Sequence, residues 1–355
     1  MKVDVQKLRR LDALLENEVE AERLPGAVYR VGIGTQTLWE GAIGYAENRN
    51  GIVRPMTNDT VFDLASLTKV MATLPSVLRL VDDGHIRLQD RVSYFIPEFD
   101  VDGKRDVTLH QLLTHTSGLI THRDFYNHGR DRDHILQMVA EETLDVPPDT
   151  RVAYSDLGFI LLGQIVEIVS GQRIDQFAQQ NVFSLLGMRE TGYRPAPALR
   201  PRIAATEEFP DLGVKVGVVH DENTYAMDGV SGHAGLFAPI DDVVQYVQMW
   251  LNPEPSVLSP AIRRAAVQCY TYHLAGRRGL GWTCRRDAYD HTGDMWPETT
   301  VGHTGFTGTS IAFDPVSQLW VVLLTNGVHY GRESRNIVRL RSRAHNLVAA
   351  AIVEF

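Results

Sequence analysis

Cysteine is almost absent from this chain. Of its 355 residues only Cys269 and Cys284 are cysteines, and neither belongs to a recognisable motif. A disulfide framework or a zinc ribbon needs several cysteines at fixed spacings. We therefore expect no structural disulfide and no metal site built on cysteine. The low cysteine count is typical of a protein from a reducing compartment.

Long apolar runs and an excess of basic residues are also missing. The sequence has no run of about 18 apolar residues, the length that a membrane span needs. The N-terminal segment 1–5 lacks the apolar core of a secretory leader, so we expect a cytoplasmic location. Lys and Arg number 35 against 44 Asp and Glu, a net charge of −9. Nucleic acid and anionic membrane surfaces are therefore not expected partners.

The remaining composition is that of an ordinary globular protein, with 44% hydrophobic and 22% charged residues. A leading helix carries apolar residues at helical spacing, and mostly helical patterns return between about residues 78 and 193. Strand-and-turn patterns resume near residue 214, before a last amphipathic helix. The predicted strands are 27–33, 37–46, 310–313 and 319–324, and the predicted middle helices are 107–113, 134–142, 157–169 and 174–186.

These blocks predict an α/β part and an all-α part. In the α/β domain, which is discontinuous over 1–77 and 214–355, helices from both chain ends flank an antiparallel sheet. The helical domain, 78–213, is an insertion. The chain is long enough for two such units that share one core.

The most informative motif is Ser66-x-x-Lys69, set between an apolar run and a helical pattern. A serine hydroxyl is a weak nucleophile until a neighbouring group takes its proton. On a helix, residues three apart lie on one face, so Lys69 would sit beside the Ser66 hydroxyl. Burial would lower the pKa of the lysine and let a neutral amine act as a base. By itself, the tetrad fits an ordinary helix start equally well.

Two later motifs strengthen this interpretation. Tyr154-x-Asp156 follows a proline turn, and His303-Thr304-Gly305 lies in a glycine-rich segment. Ser-x-x-Lys, Tyr-x-Asp and His-Thr-Gly, in this order, resemble the penicillin-recognising serine hydrolases, a superfamily of class C β-lactamases, D,D-peptidases, D-aminopeptidases and esterases. Segments 62–65, 109–119 and 235–242 also resemble this family, so the likeness covers most of the chain.

The resemblance implies a β-lactamase-like fold and a cofactor-free, metal-free site. It makes Ser66 the nucleophile, with the proton managed by Lys69 and Tyr154, and it adds His303 as the third catalytic position. Whether the lysine or the tyrosine is the base stays open, and the pair is expected to titrate as a unit. The substrate-binding residues that it implies are Asp156, Thr304, Gly305, Phe306 and Asn326. The backbone N–H groups of Ser66 and Phe306 would stabilise the oxyanion.

Two departures from the family pattern bear on the activity. Most β-lactamases of this superfamily have lysine where His303 stands, and a histidine holds a substrate carboxylate only in part at neutral pH. Asp156 replaces an asparagine and can only accept hydrogen bonds. It could pair with Lys69 and favour Tyr154 as base, bind a substrate amine, or cap a helix that begins near Leu157. These departures favour an esterase or D-peptidase-like activity on a small ester or amide.

Alternative functions remain at this point. A true β-lactamase, and a receptor that β-lactams acylate slowly, share the same motifs. Ser231 stands in a pattern close to the nucleophile elbow of α/β-hydrolases, but His233 occupies its last position. His220 and His233 invite a metal site, although their spacing matches no standard zinc pattern, and we expect a polar loop beside the cleft. His115 and His122 are expected to be solvated loop histidines. The oligomeric state is left open.

Overall fold

The computed structural model describes residues 2–209, 213–252, 257–333 and 336–354. The strands are β1 Lys2–Val3, β2 Gly26–Ile33, β3 Gln36–Arg49, β4 Ile52–Pro55, β5 Val61–Asp63, β6 Gly192–Tyr193, β7 Glu208–Phe209, β8 Gly213–Val214, β9 Leu236–Pro239, β10 Thr283–Cys284, β11 Val301–Thr304, β12 Ser310–Phe313, β13 Leu319–Thr325 and β14 Ile352–Glu354. The helices are α1 Arg9–Glu20, α2 Leu74–Asp82, α3 Leu109–Leu113, α4 Arg132–Glu141, α5 Asp156–Ser170, α6 Ile174–Ala178, α7 Glu222–Ala226, α8 Ile240–Leu251, α9 Pro260–Ala266 and α10 Asn336–Ala350.

A seven-stranded antiparallel sheet organises the fold, in the order β10-β11-β12-β13-β2-β3-β4. Its centre is the pairing of β13 with β2, in which Val321 lies opposite Val31. Both strands are rich in β-branched and aromatic residues and are buried on both faces, so they have few polar positions. This pairing joins the two ends of the chain in one sheet, which confirms the predicted fold class.

The first and last long helices cover one face of the sheet. Leu11 and Leu15 of α1 belong to one buried cluster with Leu340 and Val348 of α10. The predicted stripes therefore meet each other as well as the sheet. Asp12 of α1 also accepts hydrogen bonds from Tyr29 Oη and Trp39 Nε1 of the sheet, at 2.5 and 2.7 Å. These polar contacts fix the position of α1 on the strands.

The opposite face carries the main core, in which α2, α5 and α8 are buried. Helix α5 begins after Ser155, whose side chain accepts a hydrogen bond from the Gly158 N–H, and ends at Gly171 in the left-handed conformation. The predicted helix 157–169 is confirmed with nearly the same limits. The domain limits 1–77, 78–213 and 214–355 remain a prediction.

One difference from the sequence prediction concerns a helix. The predicted helix 174–186 begins at the expected residue as α6, but its continuation, Gln179–Phe183, is π-helical.

Helix α8 directly follows β9, which agrees with the strand-to-helix junction that segment 235–242 resembles. Its residues Ile240, Val243, Val244 and Val247 recur at helical spacing and are buried.

No single helix of the described residues is long and apolar enough to cross a membrane, although α5 and the following helical segment to Phe183 pass that test together with a bend of 77° between them.

Two fully buried histidines make the stability of the fold sensitive to acid. His345 and His291 contact each other edge to face at 5.2 Å. Burial lowers the pKa of His345 to about 4 and that of His291 well below its ordinary value. Below about pH 6.5 the unfolded chain therefore binds protons that the folded chain refuses, so acid favours unfolding.

Between pH 7 and pH 5 the free energy of unfolding should fall in both proteins. We expect the fall to be smaller in His345→Gln than in the wild type, by about 1 to 2 kcal/mol. The glutamine removes the titrating group and can still donate to the Arg341 carbonyl that His345 Nδ1 contacts at 2.8 Å. Urea unfolding at several pH values measures the difference. Parallel pH dependences in the two proteins would contradict it.

Candidate active site

The serine of the first motif follows a strained turn at the end of β5. Ala65, directly before it, has φ +46, a conformation that non-glycine residues seldom adopt. The Ala65 N–H is held by Asp63 Oδ1 at 2.9 Å, and Asp63 also accepts from the His220 N–H at 2.6 Å. These bonds fix the turn and leave Ser66 half-buried at a cavity wall. Local strain of this kind clusters at functional sites.

Lys69 lies beside this serine, as the tetrad predicts. Its Nζ is fully buried and contacts Ser66 Oγ at 3.0 Å, Asp156 Oδ1 at 2.7 Å and the His233 carbonyl at 3.1 Å. An ammonium group has three N–H donors, and these three acceptors use all of them. The arrangement fits a charged lysine that donates to the serine oxygen.

The electrostatics of Lys69 follow from the contact with Asp156. Burial would lower the pKa of Lys69, but the attraction of Asp156 and Tyr154 outweighs it and raises that pKa to about 12. Burial likewise opposes the charge of Asp156, and the attraction of Lys69 with the His122 bond holds its pKa well below the ordinary value. Of the three roles considered for Asp156, pairing with Lys69 is the one that the geometry supports.

The helix-cap role belongs instead to the neighbouring residue. Ser155 is the N-cap of α5, and Asp156 is its first helical residue. A carboxylate in the first turn is also stabilised by the helix dipole. The second oxygen of Asp156 contacts His122 Nδ1 at 3.1 Å. Both carboxylate oxygens are thus occupied within the protein, which disfavours the binding of a substrate amine.

Tyr154 reaches the same site from the residue before this cap. Its ring lies 4.7 Å from that of His115, whose Nδ1 accepts the Ser155 N–H at 3.0 Å. The expectation of a solvated His115 is wrong, because this ring is fully buried and supports Tyr154. The guanidinium carbon of Arg278, which pairs with Asp287 at 3.0 Å, lies 5.8 Å from the centroid of the tyrosine ring. His115 and Arg278 are therefore both close to this ring.

His303 on β11 faces Tyr154, and their ring centroids are 6.0 Å apart. Its Nδ1 lies 2.9 Å from the Thr304 carbonyl, which can only accept, so Nδ1 carries the proton. Burial, with the nearby charges of Lys69 and Arg278, lowers the pKa of His303 to about 3. The ring is therefore neutral, and its buried Nε2 is an acceptor without a partner among the described residues.

The glycine after this motif is required by the backbone. A Cβ on Gly305 would lie 2.2 Å from Thr309 Oγ1 and 2.4 Å from the Leu64 carbonyl. The turn before Ser66 therefore approaches Gly305 too closely to leave room for a side chain. Thr309 Oγ1 donates to the same Leu64 carbonyl at 3.1 Å, which holds β11 against that turn.

Two backbone N–H groups beside the serine have no protein acceptor. Within the described ranges, neither Ser66 N–H nor Phe306 N–H donates a hydrogen bond, while Gly305 N–H is taken by the Thr309 carbonyl at 2.7 Å. The side chain of Phe306 is exposed and stacks on His220, 5.6 Å between centroids. This pair of free donors is what a developing oxyanion needs.

The cavity at this site has a volume of about 560 Å³. Ser66, Tyr154, the 303–306 segment, Gly327 and Arg341 all line it. Asn326, predicted at the rim, is buried, and its amide donates to the Ala46 and Ala205 carbonyls at 3.2 and 3.3 Å. The structure therefore assembles the other predicted residues here and directs the Asn326 side chain into the protein.

Arg341 is a cavity residue that the sequence analysis missed. It is nearly fully buried on α10, and its Nη2 donates to the Gly305 and Thr309 carbonyls at 2.8 and 2.9 Å. Burial lowers its pKa to about 9. Among the described residues it forms no ion pair, and it lines the cavity together with Arg278, Arg332 and Glu333. The helical stripe of α10 gave no signal for this role.

The two alternative sites of the sequence analysis have other arrangements. Ser231 Oγ contacts His233 Nδ1 at 2.8 Å, and His233 Nε2 contacts Asp221 at 2.9 Å. This Ser-His-Asp chain is buried away from the cavity, and its histidine backbone supports Lys69. His220 pairs with Glu207 at 3.0 Å. No cluster of three metal-ligating side chains occurs in the part of the chain that the structure describes. Both cysteines are free.

An antiparallel sheet with flanking helices, and a Ser-Lys-Tyr cluster at its edge, define the β-lactamase and penicillin-binding class of folds. The Beta-lactamase family model matches residues 11–344. The chain belongs to the Beta-lactamase family, and the resemblance stated from the motifs is confirmed.

Curated relatives and solved structures agree with this family. An N-acetylmuramyl-L-alanine amidase of Bacillus subtilis is 33% identical over 91% of this chain and 82% of the relative. A putative D-alanyl-D-alanine carboxypeptidase of Escherichia coli K12 is 30% identical over 92% of this chain and 83% of the relative.

The structure of EstCE1, a hydrolase with promiscuous acyltransferase activity, has a TM-score of 0.76 at 23% identity over 95% of this chain and 99% of that one. A penicillin-binding protein homologue from Pyrococcus abyssi has a TM-score of 0.76 at 19% identity over 96% and 77%. The last two comparisons show the fold.

We expect Asp156→Ala to lower the free energy of unfolding by about 3 kcal/mol, because it leaves Lys69 buried without its counter-ion. The exposed pair of Asp145 with Arg151 provides a matched control. Asp145→Ala should cost less than about 1 kcal/mol. Urea unfolding at pH 7 measures both, and equal losses would contradict the importance of the buried pair.

Proposed function

We propose that this protein is a serine hydrolase that cleaves a small ester or amide through an acyl-enzyme on Ser66. The observation that carries the proposal is the 3.0 Å contact between Ser66 Oγ and Lys69 Nζ at a cavity wall. The N–H groups of Ser66 and Phe306 support it, since both residues line the cavity and a developing oxyanion needs such free donors. The names of the amidase, carboxypeptidase and esterase-like relatives support a hydrolase.

The arrangement favours Tyr154 as the base. Lys69 carries its proton and donates to Ser66 Oγ, so the serine proton has to go elsewhere. In this step Tyr154 acts as the phenolate, and Ser66 Oγ attacks the carbonyl carbon while its proton passes to the phenolate oxygen. The tyrosine then protonates the leaving oxygen or nitrogen as that bond breaks, which leaves the acyl-enzyme. In the second half, water attacks the ester of the acyl-enzyme and gives a proton to Tyr154. That proton then passes to Ser66 Oγ as the free acid leaves.

A substrate with a carboxylate beside the scissile bond fits the cavity best. Arg341 lines the cavity without an ion-pair partner among the described residues, while His303 is neutral and offers an acceptor. A charged hydrogen bond from a buried arginine to a carboxylate is stronger than a neutral one. This charge favours a D-peptidase-like amidase over a neutral-ester esterase. The carboxypeptidase and amidase names of the relatives support the same choice.

Ser66→Ala should abolish turnover of an aryl ester, a chromogenic cephalosporin and a peptide ending in D-alanine, with the fold intact by circular dichroism. Ser231→Ala is the matched control, because Ser231 belongs to the other Ser-His-Asp chain. We expect this control to retain most activity. Activity that survives Ser66→Ala contradicts the proposal.

The same assay separates the alternative functions. Fast hydrolysis of the cephalosporin would make the protein a β-lactamase, and a single stoichiometric burst would make it a slowly acylating receptor. We expect steady turnover of ester or peptide with little cephalosporin hydrolysis, since no charged lysine stands at position 303.

Arg341→Met should lower kcat/KM for a peptide with a free C-terminal carboxylate by about tenfold or more, and spare its amidated form. Arg341→Lys should restore part of the loss because it keeps the charge. Arg332→Met is the matched control, since Arg332 is another cavity arginine and already pairs with Glu207 and Glu222. Equal losses for the free and amidated peptides would exclude carboxylate recognition by Arg341.

A further inference from the structure

His122 bridges two carboxylates, one of which holds the lysine of the site. Its Nδ1 lies 3.1 Å from Asp156 Oδ2, and its Nε2 lies 3.2 Å from Asp124 Oδ1. The other oxygen of Asp156 contacts Lys69 Nζ at 2.7 Å. A continuous chain therefore runs from a partly exposed loop to the buried Ser66, in the order Asp124, His122, Asp156, Lys69.

This geometry determines the protonation state that fits it. A neutral imidazole has one N–H donor and one acceptor, whereas an imidazolium has two donors. A carboxylate oxygen can only accept, so both contacts are hydrogen bonds only when the ring is charged. If His122 loses a proton, one of the two carboxylates faces a lone pair. The ring then releases either Asp156 or Asp124.

We infer that His122 is a positioning residue, which as an imidazolium holds Asp156 against Lys69 and makes the reaction slow down at alkaline pH. In this role it touches neither substrate nor the reacting atoms. The inference rests on the proposed function of Ser66, since Lys69 acts through that serine. When the neutral ring releases Asp156, that carboxylate keeps only its contact with Lys69, and the lysine donor is less firmly fixed on Ser66 Oγ.

The surroundings of His122 favour the charged ring. The hydrogen bond to Asp156 raises the pKa of His122 to about 9, against the effect of partial burial, and attraction to Asp221 and Asp124 adds to this. Asp221 belongs to the loop before α7, so the acids come from three segments. The adjacent Arg123 pairs with Glu142 and adds no unbalanced positive charge. The ring should therefore stay charged at pH 7 and titrate well above the ordinary histidine range.

The test compares pH profiles of kcat for the aryl ester between pH 6 and pH 10.5. In the wild type we expect kcat to fall as pH rises through about 9. His122→Gln should lower kcat by about tenfold at pH 7 and abolish this alkaline fall, since it loses a charged hydrogen bond and has no titrating group. His122→Lys should restore activity and move the fall to higher pH, because a lysine stays protonated to a higher pH than a histidine does.

Asp124→Asn provides a shift in the opposite direction. It removes one of the two carboxylates that stabilise the imidazolium and should move the fall down by about one pH unit. His128→Gln, an exposed histidine on the same segment, is the matched control and should leave the profile unchanged. An alkaline fall at the same pH in all variants would overturn the inference, and so would full activity in His122→Gln.

Nitrogen NMR of ¹⁵N-histidine protein supplies a readout that does not need turnover. The resonances of the His122 ring are identified by their absence from the spectrum of His122→Gln. In the wild type they should show two protonated ring nitrogens at pH 8. Titration of that ring near pH 6.5 would overturn the inference. Ser66→Ala keeps the two outcomes apart. If Ser66→Ala retains turnover, the proposed function fails. If Ser66→Ala is inactive but the His122 variants have the same pH profile of kcat as the wild type, only the positioning role is refuted.

Discussion

The rest of the site depends on the burial of one positive charge beside a serine. Lys69 is removed from water, and it keeps its proton because Asp156 lies 2.7 Å away at the start of α5 and Tyr154 adds to the attraction. A buried charge without a partner is very costly, so the helical segment that carries Lys69 and α5 must remain in register. The position of α5 in turn places Tyr154, two residues before Asp156, at the cavity.

The same pair explains why aspartate can replace the usual asparagine. An amide would remove the attraction of Asp156, whereas burial favours a neutral lysine. With a carboxylate the lysine is an ammonium group that donates to Ser66. In the proposed mechanism Tyr154 is then the base, so the cation that orients the serine is separate from the group that receives its proton.

The chemistry lies where segments distant in sequence meet. The loop 305–309 is bonded to the turn before Ser66, and Gly305 has no space for a side chain at that contact. Arg341 reaches the cavity from the last helix, while Arg278 and His115 lie close to the tyrosine ring. The cavity is therefore lined by residues from several elements that are far apart in the sequence.

The sequence by itself determined the family, the outer helices, the central strands and the Ser66, Lys69, Tyr154 and His303 cluster. These features depend on short-range spacing, which a motif or a periodic pattern records directly. Only the tertiary structure decided that His115 is buried, that Asn326 points away, that Arg341 lines the cavity, and that His122 contacts Asp156. Those facts depend on contacts between residues tens to hundreds of positions apart, and packing rather than local pattern sets the burial and charge of such residues.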